Sequence, residues 1–297
     1  MEKFKKTVDL WIILKLWGSS ENQKLIKEAA QNSGLNYKIM FDKYFSWIGG
    51  KLFYKGFPVR NMPKVIISRA RGNKIRKIIS RNPDIIAINK NESYIFPDNK
   101  LNCHVELDKH GILQPKFLKP TKQDTYKKIS NLLGEKFVVK DVYGRRGSKV
   151  YLVNNEKEYK GAIRKCKLKR AMCQEFITSS HGKDIRVIIM GGKIIVAFTR
   201  KGKGEDFRAN ISQGGTAELV KLTQEQEEHA MRVYDTLGGG FLSVDFLFGE
   251  NELIFCESNI HTALRMRYDY KTHDIDVARS LMDYVKDEIR KQGGGNE

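Results

Sequence analysis

Asp245, Glu257 and Asn259 lie within fifteen positions of one another near the C-terminal end of the 297-residue chain. In Leu253-Ile254-Phe255-Cys256-Glu257-Ser258-Asn259 the two-residue period of a strand puts Glu257 and Asn259 on one face. Asp245 falls in a second strand candidate, residues 241–248, across a turn at 249–251. Pairing outward from that turn brings Asp245 within about one residue of opposite Glu257. Two carboxylates and an amide oxygen converging among Leu, Ile, Val and Phe need a cation between them. All three offer oxygen, which suits Mg²⁺ rather than zinc. Mg²⁺ held by few protein ligands usually also binds substrate phosphates. A hairpin with its polar residues in water is the plainer alternative; the apolar flanks and the i, i+2 spacing favour the metal.

A second chemical feature lies upstream. Phe137-Val138-Val139-Lys140 ends a strand candidate with an amine, and Gly144-Arg145-Arg146-Gly147-Ser148 follows before another strand. A glycine-bearing loop between strands can fold over phosphates and offer backbone N–H donors, with Lys140 as a point charge. The segment matches neither the Walker pattern nor the dinucleotide fingerprint; alone it could be a plain turn.

The elements that must position these residues follow from periodicity. Strands are expected at residues 8–16, 37–42, 64–68 and 84–88, helices at 21–33 and 74–81, and a small hairpin at 51–59. This β-α-β alternation predicts a small, mostly parallel sheet. Helices are expected at 99–110, at 122–133 behind a Thr121–Asp124 cap, and at 156–165. Strands are expected at 137–140, 149–153 and 171–176. Gly191-Gly192 between apolar runs at 184–190 and 193–199 is a hairpin signal. Helices at 223–237 and 274–291 and the strands at 241–248 and 252–257 complete the chain. The fold class is α/β (α+β), with units at 1–97, 98–180 and 181–297.

The chain carries 54 Lys and Arg against 35 Asp and Glu, a net charge of +19, which implies an acidic partner. Its four cysteines, Cys103, Cys166, Cys173 and Cys256, form no Cys-x-x-Cys pair, a pattern of reduced thiols that predicts a cytoplasmic protein. The apolar run at 8–17 is broken by Lys15 and is too short for a membrane span.

Together these pieces resemble the ATP-grasp ligases, specifically the RimK-type glutamate ligases, from about Lys100 to Asp276. Asn99-Lys100-Leu101, with His110-Gly111 and Pro115, is similar to the start of the family's ATP-binding region. Gln174-Glu175-Phe176-Ile177 resembles the hinge strand beside adenine. Gly182-Lys183-Asp184-Ile185-Arg186-Val187 with Gly191-Gly192 resembles the ribose-side hairpin, and Asp206-Phe207-Arg208-Ala209-Asn210-Ile211-Ser212-Gln213-Gly214-Gly215 the most diagnostic segment. Asp245 and Glu257-Ser258-Asn259 match the metal motif in order and spacing.

The resemblance implies an ATP-grasp fold behind an N-terminal pre-ATP-grasp domain, and an ATP-dependent ligase that forms a carbon–nitrogen bond. It implies that Lys100 and Lys140 contact ATP phosphates, that Glu175, Phe176 and Ile177 frame adenine, and that Asp184 binds the ribose hydroxyls. Arg208, Ala209 and Asn210 would face the nucleotide, Arg208 and Asn210 meeting the transferring phosphoryl group. Arg208, Asn210 and Lys140 would be catalytic, and Asp245, Glu257 and Asn259 would hold one or two Mg²⁺, with Mn²⁺ able to substitute. The partners implied are a carboxylate and an amine substrate, an amino acid, acidic peptide or protein, without specific nucleic acid or membrane, in a family that often self-associates. The chain departs from the family after Asn259, where Ile260-His261-Thr262-Ala263-Leu264-Arg265-Met266-Arg267-Tyr268 replaces a small-residue Pro-Gly turn. Arg265 and Arg267 are candidates to grip an acidic substrate. Three rivals stand beside the ligase: an ATP-grasp macrocyclase of a ribosomally made peptide, a catalytically silent ATP binder, and a basic nucleic-acid-binding protein. Against the last, the basic residues carry no recognised binding motif.

Overall fold

The computed structural model describes residues 8–15, 21–70, 72–90, 99–144, 147–204, 206–209, 214–250, 252–262, 264 and 275–293. They gather into two units, one drawn from 1–94, 239–241 and 261–297, the other from 95–238 and 242–260. The C-terminal helix thus belongs with the N-terminal sheet.

The first unit is built on the parallel sheet β2-β1-β6-β7: β1 (Leu10–Leu14), β2 (Tyr37–Phe41), β6 (Val65–Ser68) and β7 (Ile86–Ile88). All five residues of β1 are buried, as its unbroken apolar run requires of a central parallel strand. Helix α1 (Glu21–Asn32) buries Ile26 and Ala30, one turn apart, and α2 (Asn73–Ser80) buries Ile75, Ile78 and Ile79. The last helix, α7 (Val277–Gly293), packs on α1 through a stripe that includes Val277, Leu281 and Val285. The hairpin expected at 51–59 is present as β4 (Lys51–Tyr54) and β5 (Phe57–Pro58), with a third strand, β3 (Phe45–Ile48), that the sequence reading did not anticipate. β3 is short and follows a turn of 3₁₀ helix, so its Phe-Ser-Trp-Ile alternation is too brief to stand out.

The second unit holds two sheets. In the first, β8 (Phe117–Leu118), β9 (Phe137–Asp141), β10 (Val150–Val153) and β11 (Ala171–Glu175) run antiparallel in the order β10-β9-β11-β8. Helices α4 (Tyr126–Leu133) and α5 (Glu156–Cys166) cover it, burying Ile129, Leu133, Tyr159 and Ala162 against Phe137, Val139 and Cys173. Helix α4 begins four residues later than expected. Thr121 and Asp124 do bond each other, but as a turn ahead of the helix, and Thr125 supplies the cap by accepting from the Lys128 N–H. The second sheet, β14-β13-β12-β15-β16, comprises β12 (Lys183–Met190), β13 (Lys193–Lys201), β14 (Thr216–Leu219), β15 (Phe241–Phe248) and β16 (Leu253–Asn259). Gly191 and Gly192 join β12 to β13 with φ of 56° and 76°, the left-handed pair that a two-residue hairpin turn demands and glycine supplies without strain. Helix α3 (Lys100–Lys109) and helix α6 (Gln224–Thr236), the latter opened by a Thr223–Gln226 capping box, belong to the same unit. Among the described residues no helix is long and apolar enough to cross a membrane.

Candidate active site

The register of β15 and β16 sets Asp245 opposite Glu257 and Ser243 opposite Asn259, as the sequence spacing requires. A bulge follows: Phe246 pairs with Phe255, leaving Cys256 as the extra residue. Cys256 and Glu257 consequently both line one cleft, together with Asp245 and Leu247, while Phe246 and Phe255 are fully buried. The cleft encloses about 820 Å³, part of it open to solvent. Lys100, Lys140, Gly144, Gly147, Glu175, Phe176, Ile177, Asp184, Arg208 and Ala209 also line it. The structure therefore brings together eleven of the twelve residues assigned a nucleotide or metal role from the sequence, counting Asn259 through its contact with Glu257. Asn210, Arg145, Arg146, Arg265 and Arg267 lie outside the described residues.

Charge dominates this cleft. Both oxygens of Asp245 accept from Arg186, through Nε and Nη2 at 2.6 Å each, and Oδ2 also accepts from Arg200 Nη2 at 2.8 Å. Arg200 is held in turn by Asp184, through Nε at 2.6 Å and Nη2 at 2.5 Å. Arg186 and Arg200 had no role in the sequence reading. Each stands on an alternating strand where an apolar residue would pack more cheaply, and that misfit was the available signal. Lys100 Nζ lies 3.4 Å from Glu257, and Asn259 Nδ2 donates to Glu257 at 3.4 Å. Burial by itself would raise the Glu257 pKa, but Lys100, Lys140, Arg186 and Arg200 outweigh it and hold the carboxyl well below the usual range. Asp184 goes the other way: burial, reinforced by the Asp245 charge, pushes it up despite Arg200.

Two lysines reach the cleft by different routes. Lys140 stands one residue before the end of β9 and is 8% exposed; its Nζ donates to Gln174 Oε1 at 2.5 Å and to Cys256 Sγ at 3.9 Å. The Gln174 amide donates to His104 Nε2 at 3.1 Å, so that nitrogen is an acceptor, and His104 Nδ1 donates to Gln114 Oε1 at 2.6 Å. The ring is neutral, because burial, with the nearby Lys140 and Lys100 charges, lowers its pKa to about 4. Lys100 occupies the first turn of α3, behind the Asn99 cap, and its Nζ donates to Gly144 O at 2.7 Å. Gly144 leaves no room for a side chain, since a Cβ would stand 2.8 Å from Ser148 O. Arg208 reaches the same loop: its Nη1 donates to Gly147 O at 3.0 Å, while Nε and Nη2 pair with Asp206. Lys100 and Arg208 thus grip the glycine loop from two sides.

The other expected contacts are also placed. Glu175 turns its carboxylate to the Lys116 N–H at 3.0 Å, away from any direct use of its charge in the cleft. Phe176 meets the Phe207 ring edge-on at 6.1 Å and His181 at 5.9 Å, forming an aromatic wall. Both Asp184 oxygens are engaged by Arg200, so a sugar hydroxyl would have to share them.

The donor set fits a hard divalent cation. Among the described residues no three His, Cys, Asp or Glu side chains form a metal-holding group. What the hairpin offers is a cross-strand carboxylate pair flanked by Asn259; a cation would share the Asp245 oxygens with Arg186 and Arg200 and leave coordination positions for phosphate and water. Lys100, Arg186 and Arg200 balance the charge of the pair.

Comparison with known proteins bears on the family and the fold. A protein of Maridesulfovibrio salexigens named probable alpha-L-glutamate ligase is 36% identical over 155 residues, which cover 52% of this chain and 51% of that one. One of the same name from Aliivibrio fischeri is 30% identical over 205 residues, 68% of this chain and 67% of its own. The chain thus spans about half the length of the first of these relatives. Among solved structures, the ATP-grasp ligase PsnB complexed with minimal precursor superposes with a TM-score of 0.72 at 14% identity, over 95% of this chain and all of that one, which shows the shared fold. The RimK-like ATP-grasp domain matches residues 97–285, nearly two thirds of the sequence, and the chain belongs to that family.

Proposed function

We propose that the protein is an ATP- and Mg²⁺-dependent carboxylate–amine ligase that forms an amide bond through an acyl phosphate. The observation that carries this reading is the convergence of Lys100, Lys140 and Arg208 with the Asp245–Glu257 pair in one cleft. A phosphate chain is the ligand that such a mixture of cations and metal-type oxygens recognises. PsnB has been captured with Mg and ADP, in keeping with the same pair of ligands here. Bound Mg²⁺ would neutralise charge developing on the phosphates, and Asp245, Glu257 and Asn259 would hold it; Mn²⁺ fits the same oxygen set.

Lys140 and Arg208 supply fixed positive charge where the oxyanions form. Phe176 and Phe207 give adenine an apolar wall, Glu175 to Ile177 offer it backbone groups, and Asp184 takes the ribose hydroxyls. Ala209 and Asn210 continue the Arg208 segment along the phosphoryl group. The glycine loop, gripped by Lys100 and Arg208, keeps water from the acyl phosphate until an amine attacks it. No covalent enzyme intermediate is needed. The relatives' names point to glutamate as the added amino acid, on a peptide, protein or small acid, in a cytoplasmic setting, and the family's self-association extends to this chain. The pre-ATP-grasp, loop-bearing and metal-bearing parts at 1–97, 98–180 and 181–297 would divide these tasks.

A second reading keeps the chemistry and closes rings in a ribosomally made peptide. It is favoured by the likeness to PsnB, which was captured with precursor peptide PsnA2 and AMPPNP. The test is ADP release during a screen of amino acids and acidic peptides, with mass detection of products. Ligation adds the mass of a residue, whereas ring closure loses water. Undiminished substrate-dependent turnover in the Asp245→Ala/Glu257→Ala double variant would overturn both readings.

A further inference from the structure

We infer that the small sheet β3-β4-β5 of the first unit, with helix α2, is a docking surface for an acidic polypeptide. Basic residues occur throughout the chain, but residues 43–83 hold eleven Lys and Arg and not one Asp or Glu. The fold gathers four of these cations onto aromatic rings. Lys43 Nζ lies 4.8 Å from the Tyr44 ring centre and Lys55 Nζ 5.0 Å from the same ring. Lys77 Nζ and the Arg81 guanidinium lie 4.9 and 4.6 Å from the Trp47 ring. Tyr44 belongs to an aromatic cluster in which Tyr54 meets Tyr44 at 6.0 Å and Phe45 at 5.0 Å; Trp47 lies on the same face of β3 as Phe45. A ring positions a cation without cancelling its charge. The result is a preorganised cationic surface with no carboxylate in its own stretch of sequence.

Three features together select a polypeptide. The cations meet carboxylates. Ile48 and Phe57, 59% and 68% exposed, offer apolar contact beside them. Among the described residues β3 is an edge strand, paired with β4 alone; Lys74 Nζ donates to the Phe45 carbonyl at 3.0 Å, and the remaining edge can present backbone groups to an added strand. A single-stranded nucleic acid needs open aromatic faces for its bases, and here Tyr44 and Trp47 already carry cations.

The experiment is fluorescence anisotropy of the full chain, without nucleotide, against a short labelled peptide of alternating glutamate and valine. Comparison probes are the same peptide with glutamine for glutamate and a single-stranded thymidine oligonucleotide. We expect binding of the glutamate peptide that weakens with salt, and no binding of the glutamine peptide. Lys43→Glu/Lys55→Glu and Lys77→Glu/Arg81→Glu should each weaken it about tenfold, since each reverses two of the charges that the peptide meets. Lys122→Glu/Lys127→Glu, the same charge change at exposed positions in the other unit, should leave it unaltered, with thermal melts confirming that all variants fold. Equal binding by patch and control variants would remove the assignment, and preferential oligonucleotide binding lost in the patch variants would reassign the surface to nucleic acid. Because the readout needs no turnover, loss of this inference and loss of the ligase reading are separate outcomes.

Discussion

The parallel sheet of the first unit and the five-stranded sheet of the second bury different kinds of residue. Every residue of β1 is apolar and buried, and in β6 the one polar residue, Ser68, satisfies its hydroxyl locally on Ala70 O. In the second unit Asp184, Arg200, Ser243 and Asp245 are all less than a tenth exposed. Removing charges from water costs several kcal/mol per ion unless each is paired. A sheet needing only stability would use apolar residues of similar volume. The second sheet retains its charges, and they face the cleft that holds Lys100 and Lys140. Buried charge where hydrophobic packing would suffice marks the chemical part of a fold.

The comparison breaks most visibly at Arg200. Arg200→Met leaves Asp184 and Asp245 short of a buried partner and should cost about 3–5 kcal/mol, read as lost hydrogen-exchange protection in β12 and β13. Protection unchanged within error would show that Arg186 alone balances the carboxylates. Next in size is Asp245→Ala/Glu257→Ala. ADP release should fall on the order of a thousandfold, about 4 kcal/mol of transition-state stabilisation, while the parallel sheet keeps its exchange protection.

The two sheets also differed in how far they could be read beforehand. The apolar runs at 10–14 and 65–68 declared the parallel sheet, because a strand buried on both faces has nowhere to put a polar residue. The Asp245–Glu257 pairing was legible because a short hairpin fixes register and strand period fixes face. Arg186 and Arg200 were not legible as partners of Asp245, since they stand 59 and 45 positions from it in the chain, separations that no local spacing encodes. The Lys140–Gln174–His104–Gln114 chain escaped for the same reason: its members come from β9, β11, α3 and the segment after it. Strands β3 and β14 were missed because four residues, at most one of them buried, give neither an apolar run like that of β6 nor enough length for an alternation to show.

That buried chain gives the second unit a pH response. His104 has an ordinary pKa of 6.5, lowered to about 4 by burial. Below pH 6.5 the unfolded ring takes a proton that the folded ring refuses, so stability falls as pH drops towards 4. Between about pH 7 and about pH 5 the loss from this group should be about 2 kcal/mol. His104→Gln, which cannot titrate, should flatten that part of the profile in exchange protection of α3. An unchanged slope would mean that His104 is protonated in the folded state or that other groups set the acid response.

The smallest effect sharpens the contrast from the apolar side. All three tryptophans, Trp11, Trp17 and Trp47, fall in the first ninety-four residues, so indole fluorescence follows the first unit. Ile12 is fully buried at the centre of β1 and pairs with Ile39 and Ile67. Ile12→Val removes one methylene and should cost about 1 kcal/mol in a urea titration followed by that fluorescence. The cost should not change between about pH 7 and about pH 5, since nothing that titrates in that range is altered. A pH-dependent cost at Ile12 would mean that the parallel sheet feels a titrating group after all, and the division between an apolar scaffold and a charged working sheet would have to be redrawn.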